Sequence, residues 1–132
     1  MFSRDNKQAR IDTLIGKASR VHGDMEFAGG LHLDGRIEGN LRADPVEGSS
    51  LSVSETGSID GNVEAGIIML NGAVRGDIVA RGRVVLGATA RVQGNVYYGV
   101  IEMTLGAQIM GQLTRISEAA DETVAEGTAG ST

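Results

Sequence analysis

Six copies of one short pattern constrain this chain more than any other feature it has. The pattern is an apolar residue, any residue, Gly, a carboxylate or amide, and a second apolar residue. It occurs as VHGDM at 21, IEGNL at 37, IDGNV at 59, VRGDI at 74, VQGNV at 92 and IMGQL at 109. The glycines Gly23, Gly39, Gly61, Gly76, Gly94 and Gly111 are separated by 16, 22, 15, 18 and 17 residues. The longest interval contains DPVEGSS, residues 44 to 50, which reads as an inserted surface loop. Longer wording repeats as well: LGATARVQGNV (86 to 96) matches IGKASRVHGDM (15 to 25) without a gap. A period in this range marks a stacked architecture.

A second mark falls inside each interval, a Gly with a small residue after it: Gly57-Ser58, Gly72-Ala73, Gly87-Ala88 and Gly106-Ala107, with Gly16-Lys17 and Gly35-Arg36 as looser versions. Between the marks lie brief β-favouring runs such as LHL (31 to 33), LSV (51 to 53), IIML (67 to 70), RVVL (83 to 86) and VIEMTL (100 to 105). A unit of this length cannot close a core alone, and its two or three short strands find no partner within it. Stacking solves both problems. If each repeat is one turn of a coil, aliphatic residues point inward onto their counterparts, and backbone groups pair with turns about 4.8 Å away. Glycines supply corners where φ is positive or a neighbouring turn comes close. The polar residue that follows them (Asp24, Asn40, Asn62, Asp77, Asn95, Gln112) either forms a ladder along one corner or holds its own turn by an Asx bond.

The expected fold is therefore all-β and single-domain: a parallel β-solenoid of about six turns, roughly 29 Å tall. Ile11, Leu14, Ile15 and Ala18 are spaced as on an amphipathic helix. The gapless match of this segment with residues 86 to 96 outweighs that spacing, since the same wording predicts the same rung. Propeller blades need about 40 residues, and the leucine and asparagine pattern of leucine-rich repeats is absent.

Charge divides the chain. Residues 1 to 20 carry a net +3, residues 114 to 132 a net −3, and the whole chain −5. The expected organisation is a flexible basic head at 1–12, the solenoid at 13–116 and an acidic disordered tail at 117–132. A net negative charge argues against nucleic acid as a partner. There are no cysteines, apolar runs reach only about five residues, far short of the roughly 20 that span a bilayer, and the first residues, MFSRDNKQAR, lack the apolar core of a secretory signal. The expected compartment is the cytoplasm.

No catalytic, metal or cofactor site is expected. His22-x-Asp24 and His32-x-Asp34 lack further ligands at a recognisable spacing and read as exposed positions on neighbouring turns. Carboxylates such as Glu38, Asp60 and Glu64 read as a solvated face. The Gly-rich segments precede no helix and so do not form a phosphate cradle. Two alternatives stand beside a structural role: a hexapeptide-repeat acyltransferase and a non-polymerising β-solenoid binding scaffold. The first needs an aliphatic-Gly pair every six residues, whereas the gaps from Gly61 onward vary between four and seven.

The sixfold Gly-polar-apolar repeat, the short head beginning MFSR and the charged tail together resemble the bactofilins, bacterial cytoskeletal proteins. The resemblance covers about residues 12 to 116. It implies a right-handed parallel β-helix of triangular section that polymerises end to end without nucleotide. It also implies filaments or sheets at the inner face of the cytoplasmic membrane, helping localise cell-wall enzymes and determine cell shape. Bactofilins often carry a Phe in their last turns; this chain has none there.

Both ends of such a coil are rows of unpaired backbone groups around a cut apolar core, and neither head nor tail is a convincing lid. The expected filament interface is the first rung (Leu14, Ile15, Val21, Met25) and the last (Met103, Leu105, Ile109, Leu113, with Ile116). Head-to-tail contacts give a polar filament; like-with-like contacts give one without polarity, as the family implies. In the head, Met1 and Phe2 backed by Arg4, Lys7 and Arg10 form a weak contact for anionic lipid, as the resemblance also implies. Cell-wall enzymes or other membrane proteins are further expected partners.

Overall fold

The computed structural model describes residues 11–116. Fifteen strands wind through six turns, and every strand pair is parallel. The first turn holds β1 (Thr13–Ile15), β2 (Arg20–His22) and β3 (Met25–Phe27); the second holds β4 (Gly30–Leu33), β5 (Arg36–Glu38) and β6 (Leu41–Ala43). The third opens with β7 (Ser50–Val53) and β8 (Ser58–Asp60), then enters β9 (Val63–Leu70), which carries the chain into the fourth turn. After β10 (Ala73–Arg75), β11 (Ile78–Leu86) leads into the fifth turn; after β12 (Arg91–Gln93), β13 (Val96–Met103) leads into the sixth, which ends with β14 (Gln108–Met110) and β15 (Leu113–Arg115).

Each turn thus contributes one strand segment to each of three flanks. The first flank is β1, β4, β7 and the C-terminal halves of β9, β11 and β13. The second is β2, β5, β8, β10, β12 and β14, and the third is β3, β6, the N-terminal halves of β9, β11 and β13, and β15. The expected solenoid of six turns is the observed architecture. The segment with helical spacing is β1, in register with β4.

Strand alternation selects which side chains enter the coil. On the first flank Ile15, Leu33, Val53, Leu70, Leu86 and Met103 occupy one column. On the second, Val21, Ile37, Ile59, Val74, Val92 and Ile109 do the same. In the middle turns these side chains are almost wholly buried; Leu33, Ile37, Ile59 and Leu86 are all at 0% exposure. Burying a side chain of this size stabilises by about 1.5–3 kcal/mol, and the columns supply most of a core that has few rings to draw on.

The six repeat glycines share one corner, between the second and third flanks. A Cβ on Gly39, Gly61, Gly76, Gly94 or Gly111 would stand 2.0–2.2 Å from the carbonyl oxygen of the glycine one turn below. Four of these five also have φ between 149° and 154°. Glycine is required there by close approach as well as by conformation. The polar residues after them form the ladder: Asn40, Asn62, Asp77, Asn95 and Gln112 each donate their backbone N–H to the side-chain oxygen of the counterpart below, at 2.9–3.0 Å. Among the described residues, that ladder starts at Asp24 and stops at Gln112.

The inserted loop leaves the coil at Asp44, through a cis Asp44–Pro45 peptide, and is rejoined earlier than the sequence suggests. Ser49 is buried, donates its hydroxyl to the Val46 carbonyl and accepts from the N–H of Gly66 at 2.9 Å, while Ser50 already belongs to β7.

Candidate functional site

The two ends of the coil are where this repeat leaves its chemistry incomplete. Among the described residues, β1, β2 and β3 pair on one side only, with β4, β5 and β6. At the other end the C-terminal half of β13 pairs only with β11, β14 only with β12, and β15 only with β13. Within the described residues each end therefore presents an edge around the perimeter, the arrangement that templates strand pairing with another chain.

The two ends are unequal. In the first turn Ile15 and Phe27 are 7% and 6% exposed, with Val21 and Met25 partly buried against the core. In the sixth turn Met103 is 48% exposed although its position in the column points inward, and Ile101, Ile109 and Leu113 are only partly buried. Nothing among the described residues stacks on them.

Two of the residues expected at the interface lie in the terminal turns but outside the inward columns. Leu14 stands between inward-facing Thr13 and Ile15 and points out of the first flank, 62% exposed. Leu105 lies at the turn after β13 and is 93% exposed. Ile15, Val21 and Met25 line the first end; Met103, Ile109 and Leu113 line the last. Ile116, half-buried, donates its N–H to the Tyr98 carbonyl just after β15. The head residues Met1, Phe2, Arg4, Lys7 and Arg10 lie outside the described residues, as does the tail from 117 onward.

Two exposed apolar residues of the sixth turn escaped the sequence reading: Met110, 67% exposed, and Val100, 53% exposed. Met110 was legible. It fills the unspecified position of the repeat, where the other copies carry His22, Glu38, Asp60, Arg75 and Gln93. A thioether in an outward column of polar side chains marks that end.

The polar surface beside the ends is mostly paired. His22 Nδ1 lies 2.9 Å from Glu38 Oε1, and Arg36 bridges Glu38 and Asp60 at 3.1 and 2.9 Å. His32 Nε2 lies 3.0 Å from Asp34 Oδ1. The two histidines fall on different flanks, and among the described residues no three His, Asp or Glu side chains gather as metal ligands. A hydrogen bond from the Ser54 side chain holds the Asp34 carboxyl below its ordinary range, with His32 acting in the same direction.

The bactofilin family model, described as polymer-forming cytoskeletal, matches residues 13–114. The chain belongs to the bactofilin family. No curated protein and no solved structure matches it. Bactofilins are a cytoskeletal, non-enzymatic family, so self-association is the property the coil has to support, and the acyltransferase alternative falls away. The span of the match, 13 to 114, coincides with the six stacked turns.

Proposed function

We propose that this bactofilin assembles end to end through its terminal turns, without nucleotide, into filaments held at the inner face of the cytoplasmic membrane. There it helps localise cell-wall enzymes and determine cell shape. The observation that carries the reading is the open sixth turn: Met103 is 48% exposed, and Ile101, Ile109 and Leu113 are only partly buried, beside a perimeter of one-sided strands. Joining two such ends buries the apolar columns and pairs the edges. Both changes are favourable in water without an energy source, so the contact has no need of a bound nucleotide.

Residues 1–12 act as the membrane-contacting head and residues 117–132 as the acidic tail that keeps the assembly soluble. A single Phe with three cations is a weak anchor, but a filament presents many heads at once and gains by avidity. This supports a peripheral, cytoplasmic location.

The test is electron microscopy of purified protein in plain buffer, with Leu113→Arg as the variant. Wild type is expected to form filaments. The variant places a charge at the last turn of the third flank, where Leu113 is in register with Val96, and is expected to stay folded by circular dichroism and not to polymerise. Ordinary filaments from Leu113→Arg, or wild type that sediments as single chains, would overturn the reading.

A further inference from the structure

Sulfur enters the inward columns only at the two ends of the coil. In the four middle turns, among the described residues, no inward position is a methionine. Met103 closes the first-flank column of Ile15, Leu33, Val53, Leu70 and Leu86. Met25 opens the third-flank column continued by Leu41, Val63, Ile78, Val96 and Leu113. The other two described methionines point outward. Met69 stands between the inward Ile68 and Leu70, and Met110 shares its outward column with His22, Glu38, Asp60, Arg75 and Gln93. Met103 is 48% exposed and Met110 67%, while Met25 and Met69 are partly buried.

We propose that Met103, with Met25 at the opposite end, is a reversible oxidation site through which peroxide blocks end-to-end assembly. The inference rests on the end-to-end reading and adds the regulation of that contact. The thioether sulfur takes one oxygen atom from hydrogen peroxide, becoming a sulfoxide, and the rest of the peroxide leaves as water; sulfur gives up the two electrons that reduce the O–O bond. A sulfoxide reductase returns the thioether with two electrons from thiols, and the oxygen leaves as water.

Position decides what the added oxygen does. In an unassembled protomer the Met103 sulfoxide faces water, so the fold is little disturbed. In a joined end its oxygen is a strong acceptor enclosed by an aliphatic column that offers no donor, and burying such a group is costly. The same change at Met110 is harmless, because every other copy of the repeat carries a polar side chain there. Joining covers Met103 and leaves Met110 open, so peroxide acts on the unassembled protein and a finished filament shields its own sulfur. Met25, already packed against the core, reacts after Met103.

The test compares the full-length wild type with an inward pair, Met25→Leu with Met103→Leu, and an outward pair, Met69→Leu with Met110→Leu. Leu keeps the volume of Met without a sulfur. Each protein is diluted until unassembled, treated with hydrogen peroxide, quenched with free methionine and concentrated again for pelleting and electron microscopy. After treatment, wild type and the outward pair are expected to need about tenfold more protein to assemble, with circular dichroism unchanged; the inward pair is expected to assemble as before. Sulfoxide reductases of both stereospecificities, with a thiol, are expected to restore wild-type filaments. By peptide mass spectrometry, Met103 is expected to oxidise more slowly in preformed filaments than in Leu113→Arg protomers, and Met110 equally fast in both. Filaments built from fully oxidised Met103, loss of the fold on oxidation, or equal sensitivity of the inward pair would each overturn the proposal. So would treated wild type that stays unassembled after repair, a result that decides the matter even if the inward pair assembles poorly by itself. Untreated wild type that forms no filament ends the end-to-end reading and this inference together, whereas filaments that form and then ignore peroxide end this inference alone.

Discussion

Asp77 Oδ1 accepts the backbone N–H of Asn95 at 3.0 Å, one turn further along the coil. The same bond recurs with Asn62 as acceptor for Asp77 and with Asn95 as acceptor for Gln112. The side chain that caps one turn is thus carried by the residue whose own N–H is capped from below. This ties neighbouring turns at the corner where strand pairing is interrupted by glycine. Asp77→Ala removes one acceptor and leaves the Asn95 N–H unpaired in a half-buried position. The expected cost is about 1–2 kcal/mol, read by urea denaturation in the Leu113→Arg background so that assembly does not intervene. Asp77→Asn keeps an Oδ1 and is expected to stay close to wild type. Equal losses in both would show that the charge, not the ladder bond, matters.

The glycine column predicts a ranking. A Cβ at Gly94 would stand 2.1 Å from the Gly76 carbonyl oxygen, whereas at Gly23 it would meet nothing within 4 Å, although φ there is 110°. Gly23→Ala is expected to cost only the conformational penalty, about 1–2 kcal/mol. Gly94→Ala has to push two turns apart as well and is expected not to yield folded protein. Similar stability of the two variants would contradict the stacking distance at this corner.

Much of this arrangement was legible because a coil repeats its geometry. The six Gly-polar-apolar copies gave the number of turns, the shared corner and the apolar residues on either side of it, and the match of Ile15 with Leu86 placed both in one inward column, four turns apart. What alternation alone left open was parity. In IIML all four side chains are apolar, so only pairing with β7 and β11 shows that Ile68 and Leu70 enter the core while Ile67 and Met69 face out. Leu14 beside Ile15 posed the same ambiguity. VIEMTL reads as one strand, yet β13 ends at Met103 and the chain turns at Leu105, so that Leu105 belongs to the last turn but stands out in solvent. The buried Ser49 was hidden for another reason: its role depends on Gly66, 17 residues away.

The Asp34 carboxyl gives a pH dependence. Its pKa is lowered from the ordinary 3.8, chiefly by the hydrogen bond from Ser54. A lowered folded-state pKa contributes stability that is present above the unfolded value and lost as pH falls through the folded one. Asp34→Asn is therefore expected to be slightly less stable than wild type at neutral pH. That gap closes as pH drops below 3.8. Denaturation curves over a pH series check it; a gap that widens in acid would reverse the sign of the assignment.

The head predicts a lipid dependence that only the filament amplifies. Wild-type protein is expected to float with anionic liposomes, and Phe2→Glu to lose most of that flotation, because the wedge becomes a charge that the leaflet repels. In the Leu113→Arg background, where each particle has few heads, flotation is expected to be weak even with Phe2 present. Equal flotation of wild type and Phe2→Glu would remove the head from the membrane contact.

Position in the column predicts two separable effects of the same substitution. Ile59 is fully buried in the third turn with Ile37 and Val74 in register on either side, whereas Ile109 holds the corresponding place in the sixth turn with only Val92 as neighbour. Ile59→Ala leaves a cavity closed above and below and is expected to cost about 2–5 kcal/mol, visible in denaturation of the non-filamentous background. Ile109→Ala shortens a side chain already half open to water, so its cost in that assay is expected to be clearly smaller. In filament assays the order reverses. Ile109→Ala removes apolar surface from the joining end and raises the protein concentration needed for assembly, while Ile59→Ala leaves that end unchanged as long as the chain is folded. If Ile109→Ala assembled like wild type, the sixth turn would not be the surface that meets the next protomer.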